Sequence, residues 1–245
     1  MRRLILGVLE MYEMNGKIRY SEIDSNGNLT YPGLLNYFQD SSTFQSESKG
    51  VGVKYMEEQN LAWVLSSWQI CINEMPKLAD DIKVQTWPYD MQGFFGYRNF
   101  CLRRPDGKMC AYANSIWVLI DTKTGKPTRV PESLCKAYPN EPKLEMECSG
   151  RKMVIPKEYE EKEPIPVMKY FIDTNQHVNN EKYVMLAQEF LPNQFEIGEI
   201  RVEYKKAAVL NDILYPRVTE EENCVTVVLG DESGKPYAIV LFMKR

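Results

Sequence analysis

The chain has 245 residues, 44% of them apolar and 26% charged, with a net charge of −4. Such a composition gives a folded globular protein with a sizeable core, and the acidic balance excludes the basic field that non-specific nucleic-acid binding requires. Six cysteines, at 71, 101, 110, 135, 148 and 224, form no CxxC pair and no metal-ligand spacing, so free thiols in a reducing compartment are expected.

In chain order, Met1-Arg2-Arg3 followed by LILGVL begins like a secretory signal. Its apolar run is short and passes into Glu10 and Glu13 without a small-residue cleavage site. No stretch approaches the ~20 apolar residues of a spanning helix, so a cytoplasmic protein without stable membrane insertion is expected. Ile23–Thr30 reads IDSNGNLT, and a helix follows it, with Pro32 suited to the first position and Leu34, Tyr37, Phe38, Ser41 and Phe44 at 3/4 spacing. Trp68, Ile70 and Ile72 then alternate with Gln69, Cys71 and Asn73 as in a strand. Ala79–Trp87 leads from an acidic turn into another strand. Pro105-Asp106-Gly107-Lys108 is a hairpin turn into MCAYANSIWVLI. The proline-rich, mixed-charge stretch Lys136–Pro166 predicts a connection running over the surface.

The same order then recurs. Ile172–Asn180 reads IDTNQHVNN, and Asn179 or Asn180 is placed to cap a helix over Glu181–Phe190 that Pro192 stops. Ile200, Val202 and Tyr204 alternate with polar residues, Leu210–Val218 repeats the acidic turn and strand, and Glu232-Ser233-Gly234-Lys235 leads into PYAIVLFMK. The expected fold class is α+β. Two like halves, 1–137 and 166–245, flank a linker over 138–165, and each lays one long helix across a curved antiparallel meander of about four strands.

The chemistry is concentrated in the second copy of the loop. Asp173, Asn175 and His177 stand within five positions, whereas the first copy has Asp24 and Asn26 but Asn28 where His177 should be. His177 is the single histidine of the chain. Imidazole is the side chain best matched to base work near pH 7, and the positive end of a following helix favours its neutral form. Asn175 is suited to orient a water or donate to a substrate oxygen. Asp173 would fix the histidine tautomer or hold the loop, and backbone N–H groups at the helix start would stabilise an oxyanion. These parts suit hydrolysis of an activated acyl group. Asx residues ahead of a helix also serve for capping alone, which is the reading for Asp24 and Asn26.

The run IDTNQHVNNEKYV resembles the D-x-N-x-H-V-N-N-x-x-Y signature of the acyl-acyl-carrier-protein thioesterases, the plant and bacterial group that ends fatty-acid synthesis. LTYPGLLNYFQDSS, LAWVLSSWQICI, DDIKVQTWPYD, GYRNFCLRRPDGKMCAYANSIWVLID and RVEYKKAAVLND fall in order where that family has similar stretches. The resemblance implies tandem (double) hotdog domains, the first forming much of the acyl pocket and the second carrying catalysis. It implies Asp173, Asn175 and His177 as catalytic positions. The partner would be an acyl carrier protein whose phosphopantetheine-linked acyl chain is released by water as a free fatty acid, with no metal or nucleotide cofactor.

One departure stands out. Where plant members carry a Glu-Cys pair after the strand resembling RVEYKK, this chain has Ala207 and Ala208, which points to water rather than a cysteine as nucleophile. Glu203, out of phase with Val202 and Tyr204, is expected to face solvent or a neighbouring element. Leu34, Phe38 and Trp68 are the expected substrate-binding residues, at the meeting of helix and sheet faces. Trp63, Trp87, Trp117, Phe94, Phe95 and Phe100 are read as packing. A basic rim for an acidic carrier is sought among Arg103, Arg104, Lys108, Lys123, Lys126, Arg129, Arg151 and Lys152. The rival readings are an acyl-CoA thioesterase on the same fold, a hotdog dehydratase and a non-catalytic acyl-thioester sensor. Exposed sheet edges leave a homodimer open.

Overall fold

The computed structural model describes residues 11–139 and 141–245. The segment read as a signal mimic, Met1 to LILGVL, lies outside the described residues apart from its acidic end. The first half comprises β1 (Tyr12–Lys17), α1 (Tyr31–Ser48), α2 (Val53–Glu58), β2 (Leu61–Ile72), β3 (Asp81–Gln92), β4 (Phe95–Arg103), β5 (Met109–Asp121), β6 (Lys126–Pro127) and α3 (Glu132–Ala137). The second comprises β7 (Glu160–Glu161), β8 (Ile165–Pro166), α4 (Asn180–Gln188), β9 (Ile197–Tyr204), β10 (Ile213–Glu221), β11 (Cys224–Gly230) and β12 (Pro236–Lys244).

All the strands join one 12-stranded sheet with central order β1-β3-β4-β5-β2-β9-β12-β11-β10-β7. The halves are therefore not plain meanders. The first strand after each long helix crosses over to pair with the last: β2 with β5 from Leu61–Asp121 to Ile72–Ala111, and β9 with β12. This leaves β2 and β9 facing each other, and they pair from Ser67–Glu203 to Cys71–Glu199, making one sheet of the two halves. The predicted hairpins close through glycines with positive φ, Gly107 at 90° and Gly234 at 82°, where a Cβ would be strained.

α1 begins one residue earlier than expected. Thr30 is its N-cap, accepting the Gly33 N–H on Oγ1 at 3.1 Å, so Pro32 occupies the second helical position. Gly33 is needed there, because a Cβ would lie 2.9 Å from Leu29 Cδ1 and 3.0 Å from Thr30 Oγ1. α4 is shorter than expected, ending at Gln188 rather than Phe190. Leu34, Leu35 and Phe38 of α1 press onto Trp68, Ile70 and Phe100 of the sheet, all of them buried. Ring centroids are 6.0 Å apart for Phe38–Trp68, 5.2 Å for Phe38–Phe100 and 4.9 Å for Trp68–Phe100, within the range of favourable aromatic contact.

The stretch between the halves is tied down. It lies on the sheet face opposite the helices, because period-two strands present a second row of side chains there. Gln69 donates to Glu147 O and accepts from Ser149 N, Asn99 accepts from Leu144 N, and Trp87 Nε1 donates to Pro142 O. Glu203 is only 1% exposed, accepting Met153 N–H at 2.8 Å and the Lys205 ammonium at 2.6 Å. The solvent-facing option for Glu203 is thus corrected: the connecting segment covers it.

Replacing Phe100 with Ala removes the ring that bridges α1 and the sheet. The expected loss is about 3–5 kcal/mol of stability, read as a lowered urea midpoint with an unchanged slope.

Candidate active site

The two loops flagged in the sequence fold identically. In each, the backbone N–H of the aspartate donates to the carbonyl four residues on: Asp24 to Asn28 and Asp173 to His177, both at 2.8 Å. Each Asp Oδ1 accepts two backbone N–H groups, from Asn26 and Asn28 at 2.9 Å in the first half, and from Asn175 at 2.8 Å and His177 at 3.3 Å in the second. Single bridges Ile23–Leu29 and Ile172–Val178 close the loops at their bases. Gly27 and Gln176 take the same positive φ, 78° and 62°. One oxygen of the aspartate accepts two convergent N–H groups, which an alanine does not do, and its charge strengthens both bonds.

Each loop is then fixed to its own half. Leu29 N donates to Pro76 O just past β2, and Val178 N donates to Ala208 O just past β9. In the second half Asn179 caps α4, with Oδ1 accepting Glu181 N at 3.2 Å, so His177 lies two residues ahead of the cap. Tyr183 fixes the same corner from inside: its hydroxyl accepts Ala208 N at 2.9 Å, and burial pushes its pKa up to about 12. Tyr204 donates to Asn180 O at 2.9 Å, and Asn180 Nδ2 reaches Gln39 of α1 at 3.3 Å. The start of α4 is thereby set against the middle of α1.

The structure brings Asp173, Asn175 and His177 onto this loop with the side chains of Asn175 and His177 exposed. Asp173 acts on the loop backbone, and no hydrogen bond joins it to the imidazole among the described residues. Leu34, Phe38 and Trp68 gather elsewhere, in the packed layer between α1 and the sheet. Trp68 Nε1 is buried there without a hydrogen-bond partner. Of the residues proposed as a basic rim, Arg104 and Lys108 are ion-paired with Glu74, and Arg151 stacks over Phe95.

Two residues escaped the sequence reading. Glu181, in the first turn of α4, is 4% exposed; it pairs with Lys182 at 2.7 Å, and its Oε2 has no partner. An acid in a first helical turn looks like ordinary dipole complementation, so nothing marked it as buried. Lys206 is the other, next to the Ala207 already singled out in the sequence. Superposing the loops through Pro76 and Ala208 makes them the counterparts of Glu74 and Met75, which border a cavity of about 220 Å³ beside Asn28. A second cavity, of about 10 Å³ between Trp68, Gln69 and Arg151, holds no more than a water. No described helix is long and apolar enough to cross a membrane.

A helix laid across an antiparallel sheet, built twice and joined edge to edge, with one Asp-x-Asn-x-His loop at a helix start, defines a tandem hotdog fold. Residues 10–138 match the acyl-ACP thioesterase N-terminal domain and residues 155–237 the C-terminal domain. The chain belongs to the acyl-ACP thioesterase family. It is similar to a chloroplastic acyl-[acyl-carrier-protein] hydrolase of Cuphea viscosissima, 25% identical over 83% of this chain and 54% of that protein. A chloroplastic palmitoyl-acyl carrier protein thioesterase of Cuphea hookeriana is 24% identical over 83% of this chain and 53% of its own length. The chain thus spans about half the length of these plant relatives. Among solved structures, an acyl-ACP thioesterase from Bacteroides thetaiotaomicron superposes with a TM-score of 0.88 at 24% identity, covering 96% of this chain and 98% of that one. The 12:0-ACP thioesterase from Umbellularia californica superposes at 0.84 with 19% identity, covering 96% and 97%.

Because the two carboxylates do the same work, Asp24→Ala and Asp173→Ala should each cost on the order of 1–3 kcal/mol. Thermal or urea unfolding of the two variants checks this, and near-equal losses are expected.

Proposed function

We propose that the protein hydrolyses acyl thioesters carried on the phosphopantetheine arm of an acyl carrier protein, releasing free fatty acid. One observation carries the reading. The same loop is built twice on the same hydrogen bonds, and only the second copy bears a group that accepts a proton near neutral pH. His177 is the general base that takes a proton from water. Asn175 orients that water or donates to the thioester oxygen, and Asp173 holds both on one rigid turn. With Ala207 and Ala208 following β9, no thiol stands at that place, and attack by water is the route.

The acyl chain is assigned to the first half, between α1 and the sheet, where Leu34, Phe38 and Trp68 give an apolar wall. That wall ends further along α1. Ser41, Ser42 and Gln45 turn inward there, and Gln45 accepts from the buried Arg98 guanidinium, which also donates to Thr86 at 3.1 Å. A hydrocarbon chain entering that far would have to strip a buried cation of its partners, so the apolar length is bounded by Arg98.

His177→Ala should lower kcat on oxygen-ester-free acyl-carrier thioesters by on the order of 10²–10⁴-fold with little change in thermal midpoint. Retained activity would remove His177 from the mechanism. Acyl-CoA hydrolysis on the same fold is separated by comparing matched acyl-CoA and acyl-carrier thioesters. A clear preference for the carrier is expected, and a CoA preference would overturn the assignment. A non-catalytic sensor would release no fatty acid from either.

A further inference from the structure

The first-half loop borders the cavity of about 220 Å³ lined by Asn28, Tyr31, Glu74, Met75, Glu196 and Arg245. The internal repeat gives this cavity its meaning. Asn28 is the counterpart of His177 and Tyr31 that of Asn180. Glu74 and Met75 answer to Lys206 and Ala207, because Leu29 is held by Pro76 as Val178 is held by Ala208. We propose that this cavity is a second binding site for a pantetheine arm, one that holds the arm without cleaving its thioester. The inference rests on the reading of the His177 loop as the hydrolytic site.

The lining suits such an arm. Glu74 is already neutralised by Lys108 and by Arg104, which lies at 2.8 Å. Glu196 and Arg245 line the same cavity with opposite charges; the Arg245 backbone N–H donates to Glu196 O at 2.9 Å, and its guanidinium donates to Ile72 O at 3.3 Å. The lining offers both donors and acceptors: the Asn28 carboxamide, the Tyr31 phenol, the Arg245 N–H groups and the carboxylate oxygens. The Tyr31 phenol carries its proton at neutral pH, as any tyrosine does, and is available as a donor. Pantetheine is a neutral extended chain of two amides with short apolar spacers, and Met75 offers those spacers a soft apolar contact. Hydrolysis does not follow, because a carboxamide at position 28 has no nitrogen that accepts a proton from water.

The test is calorimetric titration of the whole protein with an S-alkyl pantetheine thioether, which resembles the substrate arm and is not cleaved. Two sites per chain are expected. Met75→Trp and, separately, Asn28→Trp should each fill the first-half cavity and weaken one of the two sites at least tenfold. Thermal midpoints measured alongside identify a variant that has failed to fold, and the other variant then decides. One site per chain in the parent overturns the proposal, and so does persistence of both sites in the two folded tryptophan variants. Hydrolysis of acyl-carrier thioesters by the parent is assayed in parallel. Its absence sinks the functional reading itself, a result independent of the site count.

Discussion

The pairing of β2 with β9 is the constraint on which the molecule turns. Separately, each half would end at an open strand edge, a row of unpaired N–H and C=O groups that invites association with other chains. Joined from Ser67–Glu203 to Cys71–Glu199, the two edges satisfy each other. Antiparallel pairing relates the partners by a local two-fold. The end of β2, where Pro76 holds Leu29, therefore lies at one end of the seam, and the end of β9, where Ala208 holds Val178, at the other. The two Asp-x-Asn loops are thus set apart, each opposite the start of the other half's central strand. The cavity beside Asn28 shows this directly, since Glu196 and Ile197 of the second half close it.

What was legible in the sequence was what is decided locally. The Asp loop is such a case: a carboxylate accepting N–H groups two and four residues on needs nothing from the rest of the fold, so IDSNGNLT and IDTNQHVNN announce their shape. The alternation of Trp68, Ile70 and Ile72 was equally plain, because one face of β2 meets α1. Strand order was not legible. Period-two patterning says which face of β2 is buried and is silent on whether β3 or β5 lies beside it. Gln69 and Glu203 show the same limit. Polar residues at outward positions are read as solvated, and they are buried because a connection without periodicity of its own folds back over them. The helix starts were misplaced by a residue or so because Thr30 and Asn179 compete with neighbouring residues as caps.

The chemical difference between the halves is electrostatic as well as a matter of one imidazole. Attack on a thioester places negative charge on the carbonyl oxygen, and the surrounding fixed charges decide what that costs. Beside Asn28, the counterpart position holds Glu74, whose carboxyl is kept ionised with a pKa lowered to about 2 by Lys108 and Arg104. In the second half the matching chain position holds Lys206, whose ammonium lies 5.1 Å from the Tyr237 ring centroid. The segment that follows β2 thus carries a carboxylate held in an ion-pair cluster, and the segment that follows β9 carries a lysine at the matching position. A histidine placed at position 28 would therefore supply a base in a setting of different local charge. The asymmetry of the pair lies in the segments that follow β2 and β9 as well as in the loops they hold.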